Sequence, residues 1–112
     1  MGDDTRHWGP PWFTDSAGRQ TRQSAYYLSA NRGKHSIIIN IADPQGRELV
    51  RSLVKACDIF VENFKKGDLS GKGLGYDDLK SLNPGLIYCS ITGFGQTGPM
   101  AEDPGYDYLI QA

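Results

Sequence analysis

Glu62-Asn63-Phe64-Lys65-Lys66-Gly67 puts an amide, an aromatic face and two cations on neighbouring residues. An adenine ring can stack on Phe64 while Asn63 hydrogen-bonds its edge and the lysines meet phosphate. The same residues also suit a solvated turn with an aromatic plug. Lys72 and the run Asn31-Arg32-Gly33-Lys34 add positive charge. Cations dispersed in this way fit a phosphorylated small molecule better than a polynucleotide. A second run, Gly93-Phe94-Gly95-Gln96-Thr97-Gly98, satisfies G-x-G-x-x-G. In a dinucleotide site the third glycine opens a helix whose N-terminus holds pyrophosphate. Here Pro99 follows at once, with Pro104 soon after, so these glycines predict a flexible loop that approaches its neighbours closely. Asp107, in Gly105-Tyr106-Asp107, is the one acid placed beside these loops. A first-turn aspartate is commonly a partner of the helix dipole.

Other chemistries find little support. His7 and His35 have no carboxylate or cysteine at metal-ligand spacing and read as surface or hydrogen-bonded residues. Cys57 and Cys89 are too few for a disulfide scaffold and too far apart for a CxxC site. Twelve basic residues against thirteen acidic ones give a formal net charge of -1, which argues against a nucleic-acid binder held by bulk electrostatics. No apolar run approaches the roughly 18 residues of a membrane span; the longest is Ile37-Ile38-Ile39. No signal-peptide h-region is visible, so the expectation is a soluble protein of a reducing, cytoplasmic compartment.

Elements that position these residues follow from the apolar pattern. Leu, Ile, Val and Phe total 24 of 112 residues, and only Phe13 and Leu28 fall in residues 1–35. That segment cannot build a core and is expected as an extended arm, anchored by Trp8, Trp12 and Phe13 and interrupted by Gly9-Pro10-Pro11. It would serve as a surface arm or as the rim of a ligand site or subunit contact. Residues 36–41 form a β-branched run suited to a buried strand. Asp43-Pro44 supplies an N-cap and a first-turn proline for a helix whose stripe is Leu49, Val50, Leu53, Val54 and Cys57. Residues 58–61 predict a second strand, 67–75 a glycine-rich connection, and 76–82 a short helix stopped by Asn83-Pro84-Gly85. Residues 86–92 predict a third strand, and Pro104 opens a last helix carrying Tyr108, Leu109 and Ile110. Alternating strand and helix imply a parallel α/β sheet with right-handed crossovers, whose ligands sit beyond the carboxyl ends of the strands. The loops at 41–42, 62–64 and 92–94 should therefore converge on one crevice.

Taken in order, these segments resemble family III CoA-transferases, the group of carnitine, bile-acid and formyl-CoA transferases and related acyl-CoA racemases. The stretches that carry the resemblance begin with Gly2-Asp3-Asp4-Thr5-Arg6, Trp8-Gly9-Pro10-Pro11, Asn31-Arg32-Gly33-Lys34 with Ser36-Ile37, and Pro44-Gln45-Gly46. They continue through residues 58–64, Gly73-Leu74-Gly75-Tyr76, Asn83-Pro84, residues 90–99, Gly105-Tyr106-Asp107 and Gln111-Ala112. Each motif is weak alone; the ordered series covers nearly the whole chain.

The resemblance implies a partial Rossmann-like parallel sheet with crossover helices, incomplete on its own, with residues 36–112 as part of a CoA-binding α/β domain. It also implies an internal fragment, since family members begin with a further strand–helix–strand. CoA would contact Ile39, Asn40, Ile41 and Ala42, then Asn63, Phe64 and Lys65, and the loop carrying Tyr106 and Asp107. Gly71 stands nearest a position that is often basic in the family, with Lys72 adjacent. The nucleophilic aspartate of the family is expected beyond Ala112, so Asp107 is not that group. The implied reaction moves CoA from an acyl-CoA thioester to a carboxylic acid through an aspartyl anhydride and an enzyme thioester, with no metal and no permanently bound cofactor. An interlocked homodimer is implied too. His35 replaces a common arginine. Tyr106 replaces the histidine that racemases use to remove an α-proton, which favours transfer over racemisation. A racemase fragment and a nonenzymatic nucleotide-binding module are the alternatives.

Overall fold

From Leu49 apolar residues recur at helical spacing, while Ile59-Phe60-Val61 and Ile87-Tyr88-Cys89 are short continuous runs of strand length, and these two patterns build the later part of the chain. The computed structural model describes residues 2–112. The chain divides into two units, Met1–Ile38 and Ile39–Ala112.

In the first unit a one-turn 3-10 helix, Asp4–His7, is capped by Asp3, whose carboxylate accepts the Thr5 amide at 2.9 Å. Strands β1 (Trp12–Thr14) and β2 (Gln20–Ser24) pair antiparallel, and α1 (Ala25–Asn31) follows directly. Ser24 ends the hairpin and starts the helix. Its fully buried hydroxyl donates to the Thr5 carbonyl at 2.6 Å and accepts the Tyr27 amide at 3.0 Å. Residues 1–35, expected as an extended arm, thus contain a turn, a hairpin and α1. The pattern hid them because polar hydrogen bonds, not an apolar face, close this unit.

The second unit contains α2 (Pro44–Val54), β3 (Ile59–Glu62), a 3-10 turn at Ser70–Lys72, α3 (Tyr76–Leu82), β4 (Ile87–Ser90) and α4 (Asp107–Gln111). Asp43 caps α2 as expected, accepting the Gln45 amide at 2.8 Å, with Pro44 in the first turn. The helix ends at Val54, so Cys57 lies past it and is exposed. Asn83 joins the ends of α2 and α3. Its side-chain amide donates to the carbonyls of Val54 at 3.0 Å and Cys57 at 2.8 Å. Val54, Leu69, Leu74, Leu79 and Leu86 form the buried core, with Ile41, Val50, Phe60 and Tyr88 packed against it.

β3 and β4 pair in parallel, with Phe60 opposite Tyr88 and Glu62 opposite Ser90. Alternation places these four side chains on the half-buried face. Ile59, Val61, Ile87 and Cys89 fall on the other, exposed face. The structure therefore shows a mixed α/β fold with one small parallel and one small antiparallel sheet.

Residues 36–41 form no strand. A strand exists only as a rung in a ladder, and these residues find no ladder partner; Ile38 is 87% exposed. Instead, residues 39–42 turn onto the start of α2. The Asn40 carbonyl runs so close to Gly46 that an added Cβ would lie 2.0 Å from its oxygen. The last helix begins three residues after Pro104, at Asp107; Tyr108 and Leu109 are exposed, and the Ile110 side chain lies outside the described ones.

Candidate functional site

Beyond the carboxyl ends of β3 and β4 the chain leaves a cleft of about 530 Å³, walled by residues 63–66, 91–93 and 101–106. The ladder persists to its edge, where the Ile91 amide donates to the Glu62 carbonyl at 2.8 Å. Gly93 and Gly105 allow the two far walls to meet. A Cβ on Gly93 would lie 2.3 Å from the Gly105 Cα, a distance that only backbone movement could relieve. Lys66 pairs with Glu102 across the cleft at 3.1 Å. Lys65 makes no ion pair among the described residues and is available to an anion. Phe64 is 45% exposed, leaving its ring accessible for stacking.

Lys65 and Lys66 also line a second cleft of about 360 Å³, together with Glu62, Tyr76, Tyr88, Ser90 and Gln96. Burial, with the nearby Glu62 and Asp78 charges, pushes the Tyr88 phenol up to about 12. It is neutral at ordinary pH, and its hydroxyl reaches the Leu74 carbonyl at 3.4 Å. The first unit carries its own cleft, of about 430 Å³, where Arg6 donates to the Tyr27 hydroxyl at 2.6 Å and lies 4.0 Å over that ring.

Two of the three strand-end loops expected to converge do so. Asn63, Phe64 and Lys65 share the larger cleft with residues 91–93, and Tyr106 joins them. Residues 41–42 do not line it. Ile41 packs on the core, while Ala42 is held by the Asn40 side chain and by Arg47. Ile39 and Asn40 likewise lie outside both clefts. Asp107 begins α4 behind Tyr106 and is not part of the wall. Lys72 is paired with Asp68 one helical turn away and faces neither cleft. Residues 93–98 stay a loop, so no helix N-terminus stands at these glycines to hold a pyrophosphate. No group of three His, Cys, Asp or Glu side chains among the described residues is placed to hold a metal.

Sequence reasoning missed Ser90, Gln96, Tyr76 and Tyr88. A signal existed for Ser90, since two polar residues, Glu62 and Ser90, end otherwise apolar strands and alternation puts both on one face.

A cleft beyond the carboxyl ends of parallel strands, lined by glycines, cations and an aromatic ring, lies where parallel α/β proteins hold small-molecule ligands. The particular lineage is clear from sequence: the chain belongs to CoA-transferase family III, whose pattern matches residues 1–112. It is 56% identical over 110 residues to a succinate–glutarate CoA-transferase of Agrobacterium fabrum, covering 98% of this chain and 27% of that protein. It is 50% identical over 111 residues to the human succinyl-CoA:glutarate CoA-transferase, covering 99% of this chain and 24% of that one. Among solved structures, a CAIB/BAIF family protein from Brucella suis superimposes with a TM-score of 0.84 at 55% identity, over 98% of this chain and 28% of its own. The chain spans about a quarter of the length of the relatives it matches. Among the described residues, no helix is long and apolar enough to cross a membrane.

Proposed function

We propose that this chain supplies the CoA-nucleotide cleft of a CoA-transferase that moves CoA from an acyl-CoA thioester to a carboxylic acid. The observation that carries this reading is the meeting of residues 63–66, 91–93 and 104–106 at the carboxyl ends of β3 and β4. The Phe64 ring and the Asn63 amide take the adenine, and Lys65 takes a phosphate. Tyr106 closes the far wall. The β3–α3–β4 crossover is part of a Rossmann-like sheet in this reading. The names of the relatives at 50–56% identity support succinyl-CoA and glutarate as donor and acceptor.

The chemistry would run through an aspartate supplied by polypeptide outside these 112 residues. Its carboxylate attacks the thioester carbonyl, the CoA thiolate leaves, and a mixed anhydride forms on the enzyme. The thiolate then attacks the aspartyl carbonyl of the anhydride, releasing the first acid and leaving CoA as an enzyme thioester. The acceptor carboxylate then attacks the aspartyl thioester, expelling the CoA thiolate and forming a second mixed anhydride. The thiolate attacks the acceptor's carbonyl in that anhydride, which gives the new acyl-CoA and frees the aspartate. No oxidant or metal enters the balance. A homodimer is proposed for the working enzyme.

The test is twofold. Calorimetry with adenosine 3′,5′-bisphosphate should show binding that weakens in Phe64→Ala. A polypeptide that carries this chain together with the aspartate should also exchange CoA between succinyl-CoA and labelled glutarate. Binding without exchange would leave a nucleotide module; absence of both would remove the proposal.

A further inference from the structure

Glu62 and Ser90 are register partners on the half-buried face of the β3–β4 pair. The Glu62 carboxylate is engaged at both oxygens. Oε2 accepts the Phe64 amide at 2.8 Å, and Oε1 accepts the Ser90 hydroxyl. The Ser90 oxygen in turn accepts the side-chain amide of Gln96 at 2.6 Å. A serine can donate once while accepting, so every member of this chain is satisfied.

Two loops are thereby joined through one carboxylate. The 63–66 turn is held at Phe64, and the 93–98 loop is held at Gln96. That loop has little else to fix it. Gly95 and Gly98 sit at φ +81° and +92°, residues 95–100 are exposed, and its other hydrogen bonds are local: the Gly95 amide on the Thr92 hydroxyl at 2.9 Å and the Ala101 amide on the Gly98 carbonyl at 3.3 Å. The sheet does not need an acid here, because backbone bonds already pair β3 with β4. Half-burying a carboxylate costs free energy unless hydrogen bonds replace its water. Its charge strengthens the bonds it accepts roughly twofold over neutral ones.

We propose that Glu62 is a positioning residue for the nucleotide. It presets the Phe64 turn, which walls the nucleotide cleft, against the 93–98 loop, which enters the same cleft at Gly93, before ligand arrives, so binding loses less loop freedom. This inference rests on the nucleotide reading of the cleft given above.

Electrostatics alone and positioning predict opposite signs. Removing a negative charge beside phosphate-binding lysines should raise affinity for an anion. Positioning requires that Glu62→Gln lower affinity for adenosine 3′,5′-bisphosphate by about tenfold, the size expected when charge-assisted bonds become neutral. Amide exchange without ligand should quicken at Phe64 and residues 93–98, while the α3 and β3–β4 amides keep their protection. Gln96→Ala changes an exposed side chain and serves if Glu62→Gln loses that protection. It should quicken the 93–98 amides and weaken binding by a smaller factor. Unchanged or tighter binding in a variant with an intact ladder overturns the role of Glu62. Failure of the unsubstituted protein to bind the bisphosphate overturns the nucleotide reading, and the role of Glu62 with it.

Discussion

The Met1–Ile38 unit buries Ser24 completely, whereas the buried apolar side chains of the described residues all lie in Ile39–Ala112. Around Ser24 the links are polar: its hydroxyl on the Thr5 carbonyl, the Asn31 amide on Asp3 at 2.8 Å, and Arg6 on Tyr27. Around Leu79 they are apolar, with Val54, Leu74 and Leu86 in one cluster and the Phe60 and Tyr88 rings 5.2 Å apart beside it. A polar-laced unit is specified by direction, through a few bonds with fixed geometry. An apolar one is specified by volume, and tolerates change only where space is conserved. The two should therefore fail under different substitutions.

Leu79→Ala should have the largest effect. Leu79 is 0% exposed, and deleting its branch leaves a cavity under the sheet, a loss of about 2–5 kcal/mol. Amide exchange should show protection falling through α3 and the β3–β4 ladder together. Leu79→Met, which conserves volume, should restore most of it. Comparable losses from the two substitutions would mean that volume is not what holds this unit.

Ser24→Ala comes next, at about 1–2 kcal/mol, because it removes a helix cap and leaves the Thr5 carbonyl without its donor. The Tyr27 amide should exchange faster. Ser24→Val, matching the apolar logic of the other unit, should be no better than alanine. Were valine to rescue, the contrast between the units would fail.

The same contrast explains what the sequence made legible. The capped start at Asp43-Pro44 and the stop at Asn83 were readable, since each is a local rule acting within a few residues. Of the stripe Leu49, Val50, Leu53, Val54 and Cys57, only Val50 and Val54 reach the core, and the other three are exposed. The β1–β2 hairpin was not, because its register depends on bonds from the Thr21 hydroxyl to the Phe13 carbonyl and from the Arg19 side chain to the Asp15 carboxylate that no periodicity announces. The strand expected at 36–41 had the right residue types but lacked a ladder partner, and propensity cannot supply one. At the site, Asn63, Phe64 and Lys65 could be placed because strand ends locate loops in a parallel fold. Lys72 and residues 39–42 could not. Whether a lysine faces a cleft or pairs with Asp68 is decided by a turn at Ser70–Lys72, and residues 39–42 follow α2 through the close pass at Gly46.

The smallest expected effect is on pH, and it has opposite signs in the two units. Thr5 and Asn31 hydrogen bonds hold the Asp3 carboxyl below its ordinary value, and Arg19 does the same for Asp15. Both acids then bind fewer protons folded than unfolded. Their contribution is present above the ordinary carboxylate pKa and is lost as pH falls through the lowered one. In the second unit Tyr88 is raised to about 12, chiefly by burial. The unfolded phenol ionises first, so stability is full below its ordinary pKa of about 10 and declines as pH rises from there toward the folded value. Amide protection should thus fade in acid at Thr5, Ala17 and Arg19, and in alkali across β3–β4. Tyr88→Phe sharpens the point: it should remove the alkaline decline between those two values and leave the acid one untouched. An alkaline decline that survives in Tyr88→Phe would assign that limb to other groups. It would leave the second unit distinguished from the first by its packing alone.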